Sequence, residues 1–197
     1  MSGLSLAHEP VTGISHGKLG MWVFLASEIM FFTGFFGAFI VLREANIDLF
    51  THSAKELNMW LALTNTVILI GSSLTMALSI YSLERGNTKH FRLFLLISIL
   101  CGFGFLIVKT IEYSTKFGHH IYPSTNIFFA FYFLLTGFHA IHVIGGIVPM
   151  MSMYARSFTK KGFHNVNRLE TLGLYWHFVD LVWIFLFPVL YLMFPSH

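Results

Sequence analysis

The apolar positions of this chain fuse into long runs, not the short amphipathic repeats of a soluble fold. Leu19 to Leu42 is broken only by Glu28, Met59 to Leu83 carries no charge, Leu93 to Ile111 carries only Lys109, Asn126 to Tyr154 is uncharged, and Leu172 to Phe194 holds only Asp180. Crossing a bilayer core of about 30 Å takes roughly 20 apolar residues at about 1.5 Å rise each. The pattern therefore predicts an all-α polytopic membrane protein, a bundle of five transmembrane helices at about 19–42, 59–83, 93–112, 126–154 and 172–194, in a single integral-membrane domain over 1–197. The first run is longer than a secretory core of about 7 to 15 residues and lacks a small-residue cleavage site, so it is expected to be retained. Small residues four apart, Gly34 with Ala38 and Ser98 with Gly102, suggest places where helices approach closely.

Composition agrees with this pattern. Of 197 residues 55% are hydrophobic and only 11% charged, against about a quarter in soluble domains. Mean hydropathy is +0.70. The deficit excludes a disordered chain, a disulfide scaffold and a nucleic-acid reader with a dense basic face. The net charge of +3 serves better as a topology marker. Sorted by side, Lys18, Arg85, Lys89, Arg92, Arg156, Lys160, Lys161 and Arg168 fall on one face of the membrane, and Arg43, Lys55, Lys109 and Lys116 on the other. The excess places the N-terminus inside and, after five crossings, the C-terminus outside. Cys101, the single cysteine, lies mid-helix and reads as a packing residue. Trp22, Trp60 and Trp176 are expected near the interfaces as aromatic anchors, and most of the 23 phenylalanines as lipid-facing bulk.

Ionisable groups inside a membrane pair, face water or work, because each charged one costs at least about 2.5 kcal/mol at mid-bilayer. Glu28, His142, His177 and Asp180 fall in one layer of the inner half, so a hydrogen-bonded network among them is the expected arrangement. Towards the outer face Lys109 and Glu112, three apart on one helix, form a self-neutralised pair whose lysine stem is expected to reach water. His139 and His142 share a helix face and are candidate metal or haem ligands, although three residues apart they cannot be the two axial ligands of one haem. No Glu-x-x-His pair of the kind that builds a dimetal centre occurs within the helices. Nucleotide loops, nucleophile elbows and zinc-protease motifs are absent as well.

Several motifs together resemble subunit III of the haem-copper oxidases. The run Gly173-Leu174-Tyr175-Trp176-His177-Phe178-Val179-Asp180-Leu181-Val182-Trp183 resembles that family's terminal-helix signature, with Glu170 at a family glutamate position. The stretch Thr136-Gly137-Phe138-His139-Ala140-Ile141-His142-Val143-Ile144-Gly145-Gly146 is similar to its histidine-pair helix, and Ser27-Glu28-Ile29-Met30-Phe31-Phe32-Thr33-Gly34 to its glutamate-bearing helix. Glu112-Tyr113 matches a further short motif. The resemblance reaches all expected helices but the second, starting at the third of the seven helices in the long family form.

The resemblance implies a non-catalytic role. It implies no catalytic, cofactor or metal residues in this chain, haem and copper in the partner subunits I and II, structural phospholipids, and support of proton uptake, in a bacterial cytoplasmic membrane. Glu28, His139, His142, Glu170, His177 and Asp180 carry over as family-pattern positions with structural roles, beside the Lys109–Glu112 pair. Cytochrome c is the expected electron donor. A quinol-oxidase subunit, an accessory protein of a nitric oxide reductase and, from a different class, a stand-alone membrane haem or metal protein are the alternatives.

Overall fold

The structure, a computed structural model, describes residues 16–159 and 163–193. Lys160, Lys161 and Phe194, used above for orientation and for the end of the last span, lie outside the described residues. The described residues form helices α1 (His16–Ala45), α2 (Ile47–Ala54), α3 (Met59–Glu84), α4 (Thr88–Gly118), α5 (Ile127–Ser157) and α6 (Val166–Phe187), with a π-helical turn over Pro188–Leu192, and contain no strand. Five of these stretches are long and apolar enough to cross a membrane, the last being α6 with its π-helical turn. The end of the bundle where α1 begins is called here the N side, and the opposite end the C side.

The helices begin and end where local chemistry stops them, which is beyond the apolar runs. Asn58, Asn87, Asn126 and Asn165 cap α3, α4, α5 and α6, their side chains accepting from backbone N–H groups of the first turn. These caps start α4 and α6 several residues earlier than hydropathy suggests, because the first turn of each is polar. Gly86, at φ 71°, makes the left-handed turn between α3 and α4 that a residue with a side chain rarely adopts. On the C side α4 continues through Lys116 to Gly118, past the expected end of the span at about 112. The short helix α2 sits in what hydropathy reads only as a polar connection. Its buried Phe50 packs against Phe39 of α1 and Phe128 of α5 at 5.3 and 5.5 Å between ring centroids.

Helix α6 is the hub, touching α1, α3 and α5, while α3 and α4 form the most intimate pair. Close approach is set by small residues. A Cβ on Gly146 would lie 2.6 Å from the Trp176 ring, one on Gly102 3.1 Å from the same ring, and one on Gly173 2.6 Å from Ile80. Trp176 is fully buried in the space these glycines leave, and its indole N–H donates to the Ser72 hydroxyl at 3.0 Å. It is therefore a core residue and not an interfacial anchor, whereas Trp22 and Trp60 are exposed. Gly34 has nothing within 4 Å of where its Cβ would be, so of the two small-residue pairs only Ser98 with Gly102 makes a contact. Ser98 shares a 2.7 Å hydroxyl bond with Thr75 between α4 and α3.

Candidate functional site

The intramembrane polar residues fall into separate groups, and each joins particular helices. On the N-side half Glu28 of α1 meets His142 of α5, Oε2 to Nε2, at 3.0 Å. The other ring nitrogen of His142 lies 2.8 Å from the Phe138 carbonyl, one turn earlier. A carbonyl only accepts, so Nδ1 carries a hydrogen and donates it. A single proton then occupies the Nε2–Oε2 line, on the carboxyl or on the ring, and either way the pair is neutral overall. That neutrality suits a site at which neither side chain is fully enclosed, with 15% and 18% of the histidine and glutamate exposed. The hydroxyl of Tyr175 donates to the His142 carbonyl at 2.8 Å, tying α6 to the same turn of α5.

The other members of the expected layer have different partners. His177 Nδ1 is bonded to the Ser73 hydroxyl of α3 at 2.6 Å. The Asp180 carboxyl is buried, with no hydrogen bond to either oxygen among the described residues. Ser73 and the Cys101 thiol are near enough to interact with it electrostatically. Glu28 and His142 thus meet, while His177 and Asp180 of α6 turn towards α3 and α4. Depth along an axis places groups in one layer, but the rotation of each helix decides which of them touch.

His139 is fully buried between Phe105 and Trp183, with ring centroids 5.3 and 5.2 Å away, and neither nitrogen has a partner among the described residues. It points into the bundle while His142 points at α1, so the two imidazoles do not converge on a common ligand. Among the described residues no group of three or more His, Cys, Asp or Glu side chains is placed to hold a metal ion. Glu170, at the start of α6, forms an ion pair with Lys18 at the start of α1.

On the C side Lys109 and Glu112 pair as the spacing predicts, Nζ to Oε2 at 2.9 Å, but the lysine does not reach water. Both are buried, at 3% and 2% exposure, because α4 runs on for more than a turn past them. Tyr191 closes the arrangement: its hydroxyl accepts from Lys109 at 3.0 Å and donates to Glu112 Oε1 at 2.7 Å. The ammonium group also lies 5.1 Å from the Tyr132 ring and 5.0 Å from the Trp183 ring. Such faces attract a cation and partly replace the hydration it has lost. Nearby the Tyr113 and Thr136 hydroxyls share a 2.6 Å bond between α4 and α5.

Tyr132, Tyr191, Ser73, Lys18 and the Gly145-Gly146 pair take part in these contacts and carry no signal in hydropathy. The glycine pair facing an aromatic pair on α6 could have suggested close packing, and Pro188, which lacks the N–H that would continue the α-helix, marks the start of the π-helical turn that carries Tyr191. Taken together, the bundle and its contacts define a multi-pass helical membrane protein in which Glu28–His142 joins two helices and Lys109–Glu112 is neutralised within one. Comparison with known proteins makes the class specific: the chain belongs to the Cytochrome c oxidase subunit III family, which it matches over residues 6–194. It is 34% identical over 198 residues to cytochrome c oxidase subunit 3 of Alkalihalophilus pseudofirmus, covering 95% of this chain and 93% of that one. Over 180 residues it is 33% identical to the subunit 3 proteins of Corynebacterium diphtheriae, covering 88% and 86%, and of Bacillus sp. PS3, covering 89% and 84%.

Proposed function

We propose that this chain is the non-catalytic third subunit of a cytochrome c-fed oxidase of a bacterial cytoplasmic membrane, packed beside subunits I and II, with its N-terminus inside. Family membership carries this reading. The donor geometry supports it. His139, His142 and His177 are directed at Trp183, Glu28 and Ser73 respectively, so the imidazoles available for a haem are turned away from one another. In this reading the electron-carrying groups sit in the partner subunits, and the paired residues here keep the subunit's shape.

An apolar groove supports the lipid-holding part of the role. It measures about 400 Å³ and runs between α1 and the α5–α6 pair on the N side, with Met21, Phe24, Pro149, Leu172 and Tyr175 on its walls and Arg168 at its membrane-surface end. An acyl chain along the apolar walls with its phosphate near the guanidinium fits that arrangement. Support of proton uptake would be indirect, through the subunit's hold on subunit I.

The deciding experiment is purification of the intact complex from its own membrane through a tag on this chain. Subunits I and II should co-purify, and this chain separated from them should show no haem absorption. Stoichiometric haem in the separated chain would overturn the reading and favour the stand-alone haem protein. Turnover with reduced cytochrome c, but not with quinol, would establish the donor.

A further inference from the structure

The first turns of α1 differ from the rest of the fold in how little holds them. None of residues 17–24 is buried. Gly17 and Gly20 have nothing within 4 Å of where a Cβ would lie, and two glycines this close weaken a helix end, glycine being the poorest helix former after proline. Among the described residues this stretch is held by the Lys18–Glu170 ion pair, by the half-buried Met21 against the core and by the tilted approach of Phe24 to Tyr175, with ring centroids 6.1 Å apart. The two side chains of the ion pair are 30% and 28% exposed, a setting in which ion pairs hold weakly.

From Glu28 onwards the helix is rooted. Glu28 is bonded to His142, Phe31 and Phe35 pack on Phe138, and Phe39 enters a cluster with Phe50, Phe128 and Phe131. Arg43 donates to the Met193 carbonyl at 3.1 Å at the far end. The weakly held stretch forms one wall of the 400 Å³ groove, opposite Gly145 and Pro149 of α5 and Leu172 and Tyr175 of α6.

We infer that residues 17–24 are a strap over this groove, hinged between the buried Leu25 and the Glu28–His142 contact and caught near its N-terminal end by Lys18–Glu170. Lipid tails are as apolar as the strap's own side chains, so leaving the groove costs it little hydrophobic energy. The catch therefore sets the balance between closed and open. An open strap would expose the groove sideways to one leaflet, whatever fills it. The inference does not depend on the occupant.

The test is a distance measurement by pulsed electron spin resonance in the assembled oxidase, held in nanodiscs of phosphatidylethanolamine and phosphatidylglycerol. One pair of labels is placed at the exposed positions Leu19 and Met151, and a control pair at Val41 and Ile127. The N-side pair should show a main distance and a minor population longer by about 5 Å or more, half a helix diameter. Lys18→Ala should raise the minor population roughly two- to fivefold. Raising the ionic strength to about 1 M should do the same in the unaltered protein and have no effect in the variant. The salt arm keeps the test decisive if the variant fails to assemble. A single N-side distance that ignores both salt and the substitution would overturn the strap, and so would equal broadening of the control pair, which would mean that α1 moves as a whole.

Discussion

Helices α1 and α6 are both long and apolar, and the apolar run of each is interrupted by one acidic residue, Glu28 or Asp180, yet they are held in different ways. Of the most apolar stretch of α1, 17% is buried, against 50% for the stretch that includes α6. Helix α6 sits where glycines on α4 and α5 admit Trp176 and where Ser72, Ser73 and Thr66 of α3 bond Trp176, His177 and Trp183. Helix α1 leans on the bundle through its phenylalanines and through polar contacts at three levels: Lys18–Glu170, Glu28–His142 and Arg43 to the Met193 carbonyl. The difference shows that hydrophobicity puts a helix into the membrane but does not attach it to its neighbours. Attachment comes from dense packing, as in α6, or from hydrogen bonds that lipid cannot replace, as in α1.

The largest expected effect lies in the bundle. Lys109→Met leaves Glu112 buried without its cation and should cost about 3–5 kcal/mol, read as loss of this subunit from the purified complex or as a lowered unfolding temperature. Lys109→Met combined with Glu112→Leu should recover most of that loss, since an apolar replacement of a buried pair is often close to neutral. A double variant as unstable as the single one would show that the tyrosine hydroxyls, and not the charges, govern this region.

Next comes a pair of glycine substitutions that asks the same question of both regions. Gly146→Ala forces a methyl group against the Trp176 ring and should destabilise by about 1–3 kcal/mol. Gly34→Ala on α1 meets open space and should be neutral or stabilising by up to about 1 kcal/mol through helix propensity. Equal effects at the two sites would remove the distinction between a packed and a leaning helix. A smaller loss than at Gly146 is expected at Glu28. Glu28→Ala should cost about 0.6–1.7 kcal/mol of helix association, whereas Glu28→Gln, which still bonds His142, should cost less. Oxygen turnover by the assembled complex should be largely unchanged in both. Abolished turnover with intact assembly would make Glu28 part of the chemistry.

Much of this molecule could be read before any coordinates. Five apolar runs became five spanning helices, and the Lys109–Glu112 spacing announced its ion pair. Helix ends were less legible, although the asparagine caps at 87 and 165 mark the starts of α4 and α6 in a way that hydropathy overlooks. The expected network of Glu28, His142, His177 and Asp180 resolved into one pair, one serine bond and one buried carboxyl without a hydrogen bond among the described residues. These residues do share a depth, but α6 is rotated so that His177 and Asp180 face α3 and α4. Trp176, expected at an interface, is central because glycines on two other helices open a space for it.

The sequence by itself determined that this chain lies in a membrane, how many times it crosses, and which family it joins, because apolar length and local motifs are properties of consecutive residues. Only the tertiary structure decided that Glu28 reaches His142 and not Asp180, that Lys109 is caged by Tyr132 and Tyr191, and that α1 leans where α6 is wedged. Those outcomes depend on the rotation and separation of helices distant in the chain. In lipid these are set by the fit of small residues against large ones and by single hydrogen bonds, and neither leaves a periodic trace along one strand of sequence.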